Sequence, residues 1–180
     1  VKPYQPPNIW NEVSLNGGLR YQPDKGDKLY RKSMYTYWKR SAPHPAMVAF
    51  DAPTREKCVM QRARTNTPLQ PLVTLNDVQF VEAARHFAQR VMKAEADTDA
   101  RIKLAFELAT AREPDALRLR VIKQLVASET KAFAADEERA KKLLAHGESP
   151  RDESLAAAEH AAWTIACSAI LNLDEVLNRE

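Results

Sequence analysis

An all-α fold, a helical bundle-like domain behind an extended, proline-rich N-terminal arm, is what this 180-residue sequence predicts. Three observations carry that expectation. Apolar residues recur every three or four positions through most of the chain after residue 26, no stretch alternates apolar and polar residues long enough for a convincing strand, and prolines and cap residues punctuate the apolar stripes. The organisation expected is an arm over residues 1–26 and one helical domain over 27–180.

Residues 1–26 hold four of the eleven prolines and three of the four glycines, which suits extended backbone rather than helix. The arm also carries Tyr4, Ile9, Trp10, Val13, Leu15 and Tyr21, so it is expected to lie along another surface; a disordered linker would be poorer in aromatics. In "DKLYRKSMYTYWKR", Leu29, Tyr30, Met34, Tyr37 and Trp38 fall at helical spacing, which predicts a helix over about 28–41 capped by Asp27 and stopped at Pro43 and Pro45. Residues 42–67 read as irregular, with a turn or one short helix at 51–56. Thr67 then caps a short helix starting at Pro68, and Asn76, three residues before Gln79, resembles a capping box for a strongly amphipathic helix bearing Phe80, Ala84, Phe87 and Val91. Further helices are predicted over 98–112, over about 115–134 with Pro114 at its start, over 136–144 with Gly147 beyond its end, and over 154–178. The last is apolar enough to be the most buried.

The composition, 44% apolar and 28% charged, is that of a soluble globular chain, and no apolar run approaches the roughly 20 residues of a membrane span. The start, "VKPYQPPNIW", has neither the basic nor the apolar region of a signal peptide, so Val1 is expected to be internal to a longer protein. A net charge of +3 conceals an asymmetry: residues 1–90 carry 14 Lys/Arg against 7 Asp/Glu, residues 91–180 carry 13 against 17. A basic half of this kind meets nucleic acid, anionic polysaccharide or an acidic protein, or forms a solvated face. Cys58 and Cys167 stand far apart, with no CxxC and no CxxCH, so no c-type haem is attached to this chain. Two buried free thiols are expected over a disulfide. The four histidines show no metal-ligand spacing, and no metal site is predicted.

The candidate binding residues cluster between positions 38 and 77: Trp38, Arg40, His44, Arg62, Arg64, Asn66, Asn76 and Asp77. Arginines beside an aromatic can hold a carboxylate, sulfate or phosphate by forked hydrogen bonds while the ring stacks on a sugar or base. The competing reading is that these side chains serve the backbone of a long irregular segment. His44, in "PHP", would act as a general base only if a carboxylate such as Asp51 oriented it. No phosphate-binding Gly-rich loop, GxSxG elbow, HExxH or paired carboxylates occur, so no catalytic residue is assigned.

The blocks "LYRKSMYTYWKRSAPHPAMVAFDAPTREKC" and "RARTNTPLQPLVTLNDVQFVEAARHFAQRV", with the "ESPRD" loop, the ending "AAWTIACSAILNLDEVLNRE" and the lead-in "VKPYQPPNIWNEV", resemble one family across nearly the whole chain. It is the PSD-one domain, domain of unknown function 1553, which closes large cytochrome-associated proteins of planctomycetes and related bacteria. The resemblance implies a multidomain, exported parent with an extracytoplasmic (periplasmic or cell-surface) location. Any haem would belong to a separate domain. It transfers no catalytic residue, since the family has no established activity. Cys167 is atypical of its pattern, which argues against pairing to Cys58. The resemblance covers the C-terminal portion of the domain, so upstream parts of the same protein are expected to cover apolar surface here, with Tyr4, Trp10, Tyr35, Tyr37 and Trp38 as candidates.

The function expected is therefore that of a non-catalytic helical module of an exported cytochrome-associated protein, used for assembly or for partner or ligand binding. The alternative is an enzyme or enzyme half acting on anionic polysaccharide through the basic 38–77 segment. Nucleic acid shares the basic surface but no motif, and export disfavours it.

Overall fold

The computed structural model describes residues 1–11, 13 and 20–178. Among them the regular structure is entirely helical, with no strand, as the periodicity predicts. The chain forms two compact units, Val1–Val73 and Thr74–Glu180.

Unit 1 is mostly irregular backbone held by long-range hydrogen bonds. Lys2 and Asp24 exchange backbone bonds with each other's backbone and carboxylate (Asp24 N to Lys2 O 2.8 Å, Lys2 N to Asp24 Oδ2 2.9 Å), and the Tyr37 amide donates to Val1 O at 2.7 Å. These bonds explain why the predicted helix over 28–41 does not form. Two short 3-10 turns, Gly26–Tyr30 and Ser33–Tyr35, stand in its place, without a side-chain cap from Asp27. Of the residues on the supposed apolar stripe only Leu29 is buried, while Tyr30, Met34 and Tyr37 face solvent. A stretch with four aromatics, Tyr30, Tyr35, Tyr37 and Trp38, has weak helix propensity, and the tertiary bonds outweigh it. Pro45 opens a five-residue helix, α1 (Pro45–Ala49), where it was expected to end one, because its missing N–H costs nothing in a first turn. Residues 51–56 form no helix.

The helix α2 (Leu69–Asn76) follows, and Asn76 is its last residue. The cap of the next helix is Asp77, one residue later than the capping-box pattern suggests; its carboxylate accepts from the Gln79 amide at 2.9 Å. An N-terminal cap must lie outside the helix in extended backbone, and Asp77, not Asn76, has that conformation.

Unit 2 holds α3 (Val78–Ala94), α4 (Thr98–Thr110), α5 (Ala116–Ala135), α6 (Glu137–Leu144), α7 (Ala157–Leu171) and α8 (Asp174–Leu177). Aspartates 97, 115 and 136 cap α4, α5 and α6 through a backbone amide three residues on. Pro114 therefore precedes a cap rather than occupying the first helical position. The central element is α7, which packs against α3, α5 and α6. It buries Ala161, Ala162, Trp163, Ala166, Cys167 and Ile170, and its alanines let neighbours approach closely. Around it, Ala88, Val91, Ile102, Phe106 and Val126 complete one core cluster, and Phe133, Ala140 and Leu144 a second. The predicted helix over 154–178 begins later and breaks at Asn172–Leu173, where the Asn172 side chain accepts from Thr74 Oγ1 at 2.6 Å and Leu173 turns onto the core.

Candidate functional site

Unit 1 carries the basic character of the chain. Its 73 residues include 12 Lys/Arg against 5 Asp/Glu, whereas unit 2 has 15 against 19. Most of the predicted site residues lie here, and the structure gives each a definite neighbourhood. Trp38 is half-buried under the Arg55 guanidinium, 4.9 Å from its ring centroid, a cation–π pair. Arg40, which is exposed, pairs with Glu56 at 2.6 Å. Arg62, Arg64 and Asn66 lie on the exposed segment leading to α2.

His44 is buried, and its Nε2 sits 2.7 Å from Tyr4 O, so Nε2 carries the proton and donates to that carbonyl. Asp51 is not its partner. The Asp51 carboxylate accepts from the Thr65 amide at 2.8 Å and from the Thr65 hydroxyl at 2.8 and 2.9 Å. The Thr65 amide first, then its hydroxyl, hold the Asp51 carboxyl below the usual carboxylate range, with the Arg62 charge a lesser contribution. The bond from Asp51 closes a loop of irregular chain and leaves the imidazole without the carboxylate a general base needs. Asn76 and Asp77 belong to unit 2, where Asp77 serves as a helix cap.

A second feature of unit 1 centres on Trp10, which is buried rather than displayed. Its ring meets Tyr21 edge-on at 5.1 Å and Tyr37 at 5.9 Å, and the Lys39 ammonium lies 4.3 Å above it. Burial, and then the Asp24 carboxylate, push the Tyr21 hydroxyl up to about 12, so it remains a neutral donor to Pro3 O at 2.5 Å.

Unit 2 contains a polar cluster that the periodic reading misses. Glu82 and Arg85, one turn apart on α3, are each 2% exposed. Glu82 Oε1 accepts from the Ser149 amide at 2.8 Å and from the Ser149 hydroxyl at 2.5 Å. Arg85 donates to Ser149 O at 2.6 Å, Ser149 Oγ at 2.7 Å and Leu144 O at 3.1 Å, and lies 3.4 Å from Glu82 Oε1. His86 Nε2 is 2.6 Å from Ser149 Oγ. With its proton on Glu82 and its oxygen accepting from Arg85 and His86, Ser149 is a strut, not a poised nucleophile. The cluster straps the 147–150 loop to α3. Gly147, at φ +93°, passes so close to the Glu82 carboxyl that any Cβ would overlap it. The only sequence signal for this strap was an isolated glycine two residues before a serine.

The cysteines are free, as expected, but Cys58 is exposed and only Cys167 is buried. Burial raises the Cys167 thiol far above its ordinary range and makes it inert. Among the described residues no group of three or more His, Cys, Asp or Glu stands together as metal ligands would, and no helix is long and apolar enough to cross a membrane.

Residues 1–126 match the family model for PSD1, a protein of unknown function (DUF1553), and the chain belongs to that family. The matched region spans unit 1 and α3 to mid-α5; the "ESPRD" loop and α7 lie beyond it. No curated protein and no solved structure matches the chain.

Proposed function

We propose that this DUF1553 member is a non-catalytic helical module of an exported, cytochrome-associated protein, and that unit 1 with α2 is the surface on which upstream parts of the same protein assemble. The observation that carries the reading is the inverted amphipathicity of α2. Leu69, Leu72 and Leu75, three residues apart on one face, are 59%, 57% and 46% exposed, while Gln70 and Thr74 are buried at 3% and 6%. A helix that ends its life in water shows the opposite pattern. Met34, Tyr35, Tyr37, Val48, Val59 and Met60 of unit 1 are also exposed, whereas among its described residues the buried apolar ones are Pro3, Trp10, Leu29 and Ala42. Exposed apolar side chains in this number mark an interface. Tyr35 and Tyr37 therefore fit the covered surface expected from the sequence; Trp10 is already satisfied within the unit.

Hydrogen exchange compares the chain alone with the longer parent protein. Strong additional protection of the amides around Leu69–Leu75 and Met34–Tyr37 in the parent supports assembly through this surface. Identical exchange in both contexts rules it out.

A second reading, binding of an anionic polysaccharide, is favoured by the excess of Lys/Arg in unit 1. Salt-sensitive binding to such a polymer that weakens on Arg62→Ala and Arg64→Ala supports it, and binding indifferent to both substitutions places the contact elsewhere.

A further inference from the structure

A cavity of about 490 Å³ opens beside Trp10 in unit 1, lined by Gln5, Asn8, Asn11, Arg20 and Tyr21 among others. This lies within the roughly 300–1,000 Å³ of small-molecule sites. Two of its lining groups are buried donors with no acceptor: the indole N–H of Trp10, a residue only 7% exposed, and the Gln5 side-chain amide nitrogen. Unmet buried donors carry a desolvation penalty that a ligand bringing oxygen acceptors relieves.

The surroundings specify the acceptor's charge. The Lys39 ammonium stacked on Trp10 is itself buried without a hydrogen-bond partner, Lys2 lies 5.5 Å from the Tyr37 ring, and Arg20 lines the cavity from an exposed position. Positive charge over a ring whose N–H is unpaired favours an anion at that N–H. The remaining lining is aromatic and amide. Tyr21 and Trp10 offer ring surface, and Asn8 and Asn11, joined by an Asn11 Nδ2 to Asn8 Oδ1 bond of 3.1 Å, keep both donor and acceptor capacity for hydroxyls.

We propose that this cavity binds a carboxylate-bearing sugar, a uronate unit, whose carboxylate takes the Trp10 and Gln5 donors and the Arg20 guanidinium while its hydroxyls meet the Asn8 and Asn11 amides. The choice of an anionic sugar rests on the polysaccharide reading above and is independent of the assembly role of α2.

The test is a titration of the full chain, labelled with nitrogen-15, with D-glucuronate, using D-glucose and acetate as controls and following the indole signals of Trp10, Trp38 and Trp163. Glucuronate is expected to shift the Trp10 signal saturably, at least about tenfold more tightly than glucose or acetate. Gln5→Met and Arg20→Ala are each expected to weaken that binding several-fold while leaving the Trp38 signal in place, which reports an intact unit 1. Absence of a saturable Trp10 shift overturns the proposal. So does acetate binding as tightly as glucuronate, which would make the cavity a bare carboxylate site, or binding indifferent to both substitutions. Arg62 and Arg64 lie outside the cavity lining, so polymer binding that depends on them with no Trp10 shift on glucuronate overturns the cavity alone, whereas a saturable Trp10 shift without polymer binding overturns the polysaccharide reading and leaves the cavity standing.

Discussion

Replacing Gly147 by alanine tests the strap between α3 and the 147–150 loop. Two costs arise. An L-residue at φ +93° is strained by about 1–3 kcal/mol. The new Cβ also overlaps the Glu82 carboxyl, which has nowhere to retreat, being 2% exposed and held by the Ser149 amide, the Ser149 hydroxyl and Arg85. Displacing it breaks a buried, hydrogen-bonded ion pair, a loss of about 3–5 kcal/mol when one partner is removed. Gly147→Ala should therefore cost about 4–8 kcal/mol, a large part of the 5–15 kcal/mol by which ordinary domains are stable. Urea unfolding followed by circular dichroism measures the cost, and Glu82→Ala supplies the second corner of a double-mutant cycle. In the Glu82→Ala background the Cβ has room, so Gly147→Ala should then cost only the backbone strain, about 1–3 kcal/mol. Equal costs in the two backgrounds, or a cost below about 1 kcal/mol in the wild type, would refute the close approach as the reason for glycine.

Ala111 ends α4 at φ +58°, so Ala111→Gly should raise the urea midpoint, by up to about 1 kcal/mol of stability, and a lowered midpoint would contradict the strain. Asp115→Ala removes the carboxylate that accepts from the Arg118 amide at 2.7 Å and should cost about 1 kcal/mol in the same assay; no change would show the cap to be idle. His160 is fully buried and donates from Nε2 to Arg85 O at 3.2 Å; burial, the largest effect, lowers its pKa from the ordinary 6.5, that bond offsets part of the shift, the charges of Arg85 and Arg151 lower it further and Asp152 raises it least. The unfolded chain then binds the proton more readily than the folded one. The His160 contribution is complete above about pH 6.5 and is lost as pH falls toward the folded value, with a slope of at most about 1.4 kcal/mol per pH unit. His160→Gln should flatten this part of the stability profile, and an unchanged slope would assign it to other groups.

The helices of unit 2 were legible because their stripes, caps and breakers agree. Phe87 and Val91 on α3, Ile102 and Phe106 on α4 and Ile122 and Val126 on α5 all lie at helical spacing and all join one core. Helix ends were less legible. Asn76 and Asp77 are both good caps, and only the backbone conformation chooses between them. Residues 28–41 misled because spacing alone cannot reveal that the Tyr37 amide is claimed by Val1, 36 residues away. For the same reason the site residues were legible as types but not as partners. The sequence does not show whether Asp51 orients His44, and the two fold instead onto Thr65 and Tyr4. Nothing in the sequence marks Glu82 and Arg85 for burial, since the loop carrying Gly147 and Ser149 that satisfies them lies more than 60 residues on.

The assembly role of unit 1 is tested most directly by calorimetric titration of the upstream part of the parent protein into this chain over a range of temperatures. Tight binding with a large negative heat-capacity change, weakened by Leu69→Ser and Leu72→Ser on the exposed face of α2, is the result expected, since burying apolar surface has that signature. Absence of binding, or binding with no heat-capacity change and no response to those substitutions, would contradict it.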